Sequence, residues 1–161
     1  MTKPEIQNTS SKLRKWLITA TVLISSLTFI VIQLNQFAHD ASLNNWNSGF
    51  EGYINSSRWQ QNTKKPIALF FYTDWCSNCK KLREEILSDQ SVDAYLKALM
   101  PVKINPELGP LEDKLAQEFG VFAYPSVFIM PADGSESIPI RRTSNISPNE
   151  FIAQLEQAIK N

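Results

Sequence analysis

The segment IALFFYTDWCSNCK, from Ile67 to Lys80, is the most informative part of this 161-residue chain. Its first six residues form an unbroken apolar run that is rich in aromatic side chains and too short for a helix. Such a run predicts a strand buried in the middle of a sheet. A helix is predicted to begin near Cys76, because apolar residues follow at helical spacing and charged residues occupy the other face. Both cysteines of the chain therefore lie where a buried strand leads into a helix.

The sequence that follows extends this strand and helix into an α/β domain. Further strands are predicted at Pro101–Ile104, Ser126–Met130 and Ser137–Arg141, with a helix starting at Pro110 between the first two. Asp133-Gly134 indicates a hairpin turn, and the proline in the last strand places that strand at a sheet edge. Parallel βαβ followed by an antiparallel hairpin predicts a mixed central sheet with helices on both faces.

The chain ahead of this domain divides into three segments. Residues 1–15 form a basic tail, with four basic side chains and one acidic. Residues 16–34 are uncharged, and a helix of that length reaches about 28 Å, close to the ~30 Å hydrocarbon core of a bilayer. We therefore expect residues 16–34 to be a transmembrane signal anchor in the lipid bilayer, with the basic tail in the cytoplasm. Residues 35–45 are expected to be a polar tether, and 46–161 the exported domain.

Two alternatives for the apolar segment stay open. It could be a cleaved signal peptide, although it is longer than the usual apolar region and its nearest small residues for cleavage are Ala38 and Ala41. It could also be a buried helix of a soluble core, although it is apolar on all faces. The anchor and the signal peptide agree that the domain is exported.

Composition excludes several classes of function. The 16 basic and 16 acidic side chains give zero net charge, so whole-protein electrostatics offer no argument for nucleic acid binding. A hydrophobic content of 43% excludes a wholly disordered chain. A structural zinc site needs about four ligands, and the chain offers two cysteines and one histidine. No metal is therefore expected.

Cys76 and Cys79 form a C-x-x-C motif whose spacing suits thiol–disulfide exchange. Cys76 is predicted at a helix N-terminus, where free N–H groups and the helix dipole stabilise a thiolate, so we expect it to be an exposed, acidic nucleophile. Cys79 follows one turn later and can resolve a mixed disulfide formed at Cys76. Lys80 adds a weak favourable charge. A structural disulfide or two inert buried cysteines are the alternatives, although so short a loop restrains the unfolded chain little.

Residues 66–135 resemble the thioredoxin-fold oxidoreductases, in particular the C-terminal periplasmic thioredoxin-like domain of the DsbD thiol:disulfide interchange family. The resemblance is carried by Tyr72–Lys80, by Leu87–Val92, and by Tyr124–Val127 with the apolar residues after it. It covers most of the predicted domain and leaves the apolar segment and the tether outside.

The resemblance implies a role for each residue of the site. Cys76 is the attacking thiol, Cys79 is the resolving thiol, and the two form the redox-active disulfide without a cofactor. Trp75 shields the sulfur and shapes a docking surface. Pro125 is a cis proline, which presents the backbone of Tyr124 to a substrate peptide as a strand-like partner.

Two positions depart from the family pattern. Phe70 stands where the family often has a buried acid that accepts a proton, so water or another group must take that role, with Asp74 as a weak candidate. Ser77 and Asn78 replace the more familiar Gly-Pro between the cysteines, which should change the reduction potential in a direction that the sequence does not fix.

The resemblance implies a thiol–disulfide oxidoreductase that is anchored by one span in the bacterial inner membrane, with its domain in the periplasm. It favours a reductase of protein disulfides that receives electrons from a membrane electron-donor thiol protein. A disulfide oxidase or isomerase is the alternative within the enzyme class. A non-catalytic binding module or assembly chaperone is the alternative outside it, and the presence of both cysteines argues against that.

Overall fold

The computed structural model describes residues 6–41, 43, 45–141 and 143–160, and the chain divides into two compact units, Met1–Asp40 and Ala41–Asn161. The first unit is essentially one helix, α1 (Ile6–Ala41). It continues beyond the predicted end of the apolar segment at Leu34, so residues 35–41 of the predicted tether are helical. No helix-breaking residue lies between Leu34 and Ala41 to stop it.

Helix α1 has the length and composition to cross a membrane. Its window Arg14–Val31 has a mean hydropathy of 1.4 and is 0% buried. Its hydroxyl side chains bond back to the helix backbone, as Thr19 Oγ1 does to the Trp16 carbonyl at 2.8 Å and Ser25 Oγ does to the Val22 carbonyl at 2.9 Å. Such bonds satisfy the hydroxyls internally, which makes them tolerable in an apolar surrounding.

The second unit alternates strands and helices. Its elements, in chain order, are β1 (Asn47–Ser48), α2 (Gly49–Thr63), β2 (Ile67–Phe71), α3 (Ser77–Leu82), α4 (Gln90–Ala98), β3 (Met100–Ile104), α5 (Pro110–Glu118), β4 (Ser126–Met130), β5 (Ile138–Pro139) and α6 (Pro148–Lys160). A π-helical turn (Arg83–Leu87) follows α3, and a 3-10 turn (Pro106–Leu108) precedes α5.

The strands form one mixed sheet in the order β1-β3-β2-β4-β5, with β2 at its centre as predicted. β3 pairs in parallel with β1 and β2, whereas β4 pairs antiparallel with β2 and β5. The mixed sheet predicted from the βαβ and hairpin pattern is therefore confirmed. β5 is shorter than the predicted Ser137–Arg141, and it contains Pro139, which has no N–H to extend a ladder.

Strand β2 is buried on both faces, which explains its continuous apolar sequence. Ala68 and Phe70 belong to one core cluster, together with residues of α3, α4 and α6. Ile67, Leu69 and Phe71 belong to the other, which includes residues of α5 and is packed against by side chains of α2. Helices thus cover both faces of the sheet, as the sequence predicted.

The packed body begins ahead of the predicted start at residue 46. Leu43 and Trp46 are 5% and 7% exposed and belong to the cluster that contains Phe70. The Trp46 ring meets the Phe70 ring edge-on at 6.3 Å, and Lys103 Nζ donates to the Leu43 carbonyl at 3.1 Å. Leu43, which the sequence assigned to the tether, therefore packs into the core beside Trp46.

Candidate active site

The C-x-x-C motif lies just beyond the C-terminal end of the central strand β2. The chain turns after Phe71, and Cys76 is the N-cap residue of α3 with extended backbone angles (φ −73°, ψ 103°). The Cys79 amide donates to Cys76 Sγ at 3.0 Å, and the Lys80 amide donates to the Cys76 carbonyl at 3.1 Å. The Cys76 sulfur therefore takes the place of an N-cap oxygen, accepting an N–H group that the helix leaves without a partner.

Cys76 and Cys79 form a disulfide across a sequence separation of three, with Cα atoms 5.2 Å apart. This is the pairing that the resemblance implies. Among the residues that the structure describes, no group of three or more His, Cys, Asp or Glu is placed to bind a metal ion.

The pair is more enclosed than the sequence predicts. Cys76 is only 6% exposed and Cys79 is 4% exposed. Both belong to the hydrophobic cluster that contains Phe70 and Leu82, so the start of α3 is packed into the core. The expectation of an openly exposed Cys76 sulfur is therefore wrong for the disulfide form.

The loop before β4 comes close to the motif. The Tyr124–Pro125 peptide bond is cis, the geometry that the resemblance implies for Pro125. The ring of Trp75, the residue before Cys76, meets the Tyr124 ring edge-on at 6.3 Å with an interplanar angle of 83°. The structure thus brings Trp75 and the cis-proline segment together, although they are far apart in the sequence.

Trp75 has a second partner that the sequence did not reveal. It is 71% exposed, yet its Nε1–H donates to Glu107 Oε1 at 2.7 Å. Glu107 lies in the 3-10 turn after β3, and parallel pairing places the ends of β2 and β3 at the same sheet edge. That topology was the available signal, since residues after two adjacent parallel strands meet at one edge.

The position that often carries a buried acid in the family is apolar here. Phe70 is 2% exposed, and the Tyr72 ring stacks on it with centroids 5.4 Å apart and planes 15° apart. Asp74 is exposed and accepts a bond from Asn105 Nδ2 at 3.3 Å. Among the described residues, Thr73 Oγ1 is a buried side-chain atom without a hydrogen-bond partner. No buried carboxylate replaces Phe70 among these residues.

Tyr124 and Lys103 have shifted pKa values. Burial, and after it the charges of Glu107 and Asp113, raise the pKa of the Tyr124 hydroxyl. Burial, and then the positive charge of Arg83, lower the pKa of Lys103. Lys80 is exposed and lies 3.8 Å from the Glu84 carboxylate, which offsets part of the charge predicted to help the Cys76 thiolate.

Comparison with known proteins gives the class that this fold and site define. A family model described as a thioredoxin-like domain matches residues 56–159. The chain therefore belongs to the thioredoxin-like family.

Two thiol:disulfide interchange proteins are each similar to this chain over part of their length. The thiol:disulfide interchange protein DsbD of Neisseria meningitidis serogroup A is 32% identical over 102 residues, which are 61% of this chain and 16% of that protein. DsbD of Campylobacter jejuni strain RM1221 is 33% identical over 97 residues, 60% of this chain and 17% of that protein. This chain therefore spans about one sixth of the length of these relatives.

Solved structures agree with this similarity. The oxidised C-terminal domain of Neisseria meningitidis DsbD is 29% identical with a TM-score of 0.54, covering 64% of this chain and 88% of that one. The oxidoreductase DsbH has a TM-score of 0.60 at 21% identity, covering 72% of this chain and 84% of that one. The second likeness concerns the fold alone.

Proposed function

We propose that this chain is a thiol–disulfide oxidoreductase that exchanges electrons with protein substrates through Cys76 and Cys79, and that it works as a reductase. The observation that carries the proposal is the Cys76–Cys79 disulfide at the start of α3, where the preceding residue, Trp75, contacts Tyr124 of the cis Tyr124–Pro125 segment. Fold, cysteine pair and relatives agree on this class of enzyme. We infer the direction of electron flow and the partners from the similarity to DsbD.

The reaction starts from the reduced pair. The Cys76 thiolate attacks one sulfur of a substrate disulfide, the substrate S–S bond breaks, and the departing substrate thiolate takes a proton. The Cys79 thiolate then attacks Cys76 Sγ, which restores the Cys76–Cys79 disulfide and releases the second substrate thiol. Two electrons pass from the pair to the substrate, and a dithiol donor returns them to the pair.

The Cys79 amide contributes to the first step. In the disulfide form it donates to Cys76 Sγ at 3.0 Å, in a buried setting. When Cys76 is reduced, the same N–H group would hold a negative sulfur, and hydrogen bonds to ionised acceptors are the stronger kind. A stabilised thiolate has a lower pKa and is present in a larger fraction at neutral pH.

Membrane anchoring is part of the proposal. Arg14–Val31 of α1 has the apolar length that a single span requires, and the predicted span, residues 16–34, follows a basic tail. We propose residence in the bacterial inner membrane with the domain in the periplasm. An electron-donor thiol protein in the same membrane would then reduce the pair, and protein disulfides would be the substrates.

Replacing Cys76 with serine should abolish catalysed insulin reduction. The serine hydroxyl cannot form the mixed disulfide on which both steps depend. Turnover of insulin with dithiothreitol as the electron donor should fall to the rate of dithiothreitol alone. Equal activity of the Cys76→Ser variant and the wild type would refute the proposed enzyme and favour a binding module.

The reduction potential tests the direction. A reductase should have a potential near that of thioredoxin, about −270 mV, whereas a disulfide oxidase such as DsbA lies near about −120 mV. Equilibration of the chain with glutathione buffers, followed by alkylation of the free thiols and mass spectrometry, gives the value. A result close to that of the oxidase would reverse the proposed electron flow and leave the exchange chemistry intact.

A further inference from the structure

The exposed indole of Trp75, the residue before Cys76, is held both by its N–H group and by its ring. Trp75 is 71% exposed, which for a side chain on a turn usually means freedom to change rotamer. Here its Nε1–H is bonded to Glu107 at 2.7 Å, and its ring contacts the Tyr124 ring at 6.3 Å. The distance to Glu107 is at the short end for a charge-assisted hydrogen bond. The indole is therefore fixed although water surrounds most of it.

Glu107 is itself held by Asn105, the residue after β3, which in turn bonds to Asp74 in the turn that follows β2. The Glu107 backbone amide donates to Asn105 Oδ1 at 3.0 Å, and Asn105 Nδ2 donates to Asp74 Oδ2 at 3.3 Å. Asn105 is 2% exposed, so this amide side chain is well ordered by its surroundings. Because Asp74 precedes Trp75 in the chain, the four residues form a closed circuit that joins the ends of β2 and β3.

We propose that Glu107 is a positioning residue for protein substrates. Through the Asp74–Asn105–Glu107–Trp75 circuit it fixes Trp75 as a rigid wall beside Cys76 and the Tyr124–Pro125 segment. Because the Trp75 side chain is already ordered before a substrate docks, binding does not incur the entropy cost of ordering it. The inference rests on the proposed function and adds the residue that sets how well a protein disulfide docks.

The proposal separates docking from sulfur chemistry. Glu107 contacts Trp75 and not the cysteines in any hydrogen bond given by the structure, whereas the Cys79 amide contacts Cys76 directly. Loss of the Glu107 carboxylate should therefore weaken binding of a large substrate. It should leave unchanged the attack on a small disulfide that does not reach Trp75.

The test compares Glu107→Ala with wild type in the full chain in detergent micelles. With insulin as substrate, KM should rise about three- to tenfold, as expected for the loss of one solvent-exposed hydrogen bond of ordinary net strength, and kcat should stay the same. The rate with hydroxyethyl disulfide and the reduction potential should not change. Glu118→Ala removes an equal charge from an exposed site on α5 and is the matched control.

Two further variants establish that Glu107 acts through Trp75. Glu107→Gln keeps a carbonyl oxygen that can accept from the indole, so its KM should stay close to that of the wild type. Trp75→Phe keeps a ring but lacks the N–H, so adding Glu107→Ala to it should cause no further rise in KM.

The proposal is overturned by an unchanged KM in Glu107→Ala, by an equal loss with hydroxyethyl disulfide, or by a full additional effect in the Trp75→Phe background. A Glu107→Gln variant as impaired as Glu107→Ala also overturns it. Failure of the proposed function has a different signature, since Cys76→Ser would then retain turnover.

Discussion

Replacing Cys79 with serine should trap the enzyme on its substrate. Cys76 can still attack a substrate disulfide, but the residue that would attack Cys76 Sγ in the second step is gone. The mixed disulfide should therefore accumulate to nearly one substrate per enzyme when reduced Cys79→Ser protein meets insulin. Non-reducing electrophoresis and mass spectrometry of the adduct measure this directly.

The controls for this trap lie in the same pair of cysteines. Cys76→Ser should form little adduct, because Cys79 lies one helical turn inside α3, away from the free N–H groups at the helix start that stabilise a thiolate. If Cys76→Ser formed an adduct at Cys79 in a yield similar to that of Cys79→Ser, the nucleophile would be Cys79 and the assignment to Cys76 would be wrong. Efficient multiple turnover by Cys79→Ser would show that a second thiol outside the pair resolves the complex.

Replacing Trp46 with alanine should destabilise the domain by about 3–5 kcal/mol, the usual cost of truncating a buried aromatic side chain. Trp46 is 7% exposed and its ring contacts Phe70, which itself stacks on Tyr72 next to the active site. Removing the indole would leave a cavity next to Phe70 at the side of the core that Leu43 and Trp46 cover. Urea unfolding of the full chain in micelles gives the change in the free energy of unfolding.

Trp59 provides the matched control, because it is the same residue type at 67% exposure on α2. Trp59→Ala should change the free energy of unfolding by no more than about 0.5 kcal/mol, as is usual for surface substitutions. Equal effects of the two substitutions would mean that the segment ahead of β1 is not part of the cooperative core.

Local sequence was enough to predict the centre of the fold. The run at β2 is apolar at every position because both of its faces are buried, so length and composition identified a central strand. The helix start at the C-x-x-C motif was also predictable, because apolar residues follow it at helical spacing and charged residues occupy the other face. The aromatic-proline pair before β4 was informative because the resemblance supplied what spacing alone does not.

Features that depend on distant contacts escaped the sequence. β1 is two residues long and exists because β3 pairs with it, so Asn47 and Ser48 carry no strand pattern of their own. The bond from Trp75 to Glu107 joins positions 32 residues apart. The low exposure of Cys76 follows from how α3 packs on the sheet, which the hydrophobic pattern of one helix does not report. Such outcomes are set by tertiary packing.

The two outer strands of the sheet limit how this domain can associate with other polypeptides. β1 and β5 have only two residues each, and β5 includes Pro139. Within the described part of the sheet, neither edge strand has enough unpaired backbone N–H and C=O groups to pair with a strand of another chain and start aggregation. A protein substrate of the proposed enzyme would therefore not pair with either edge strand of this sheet.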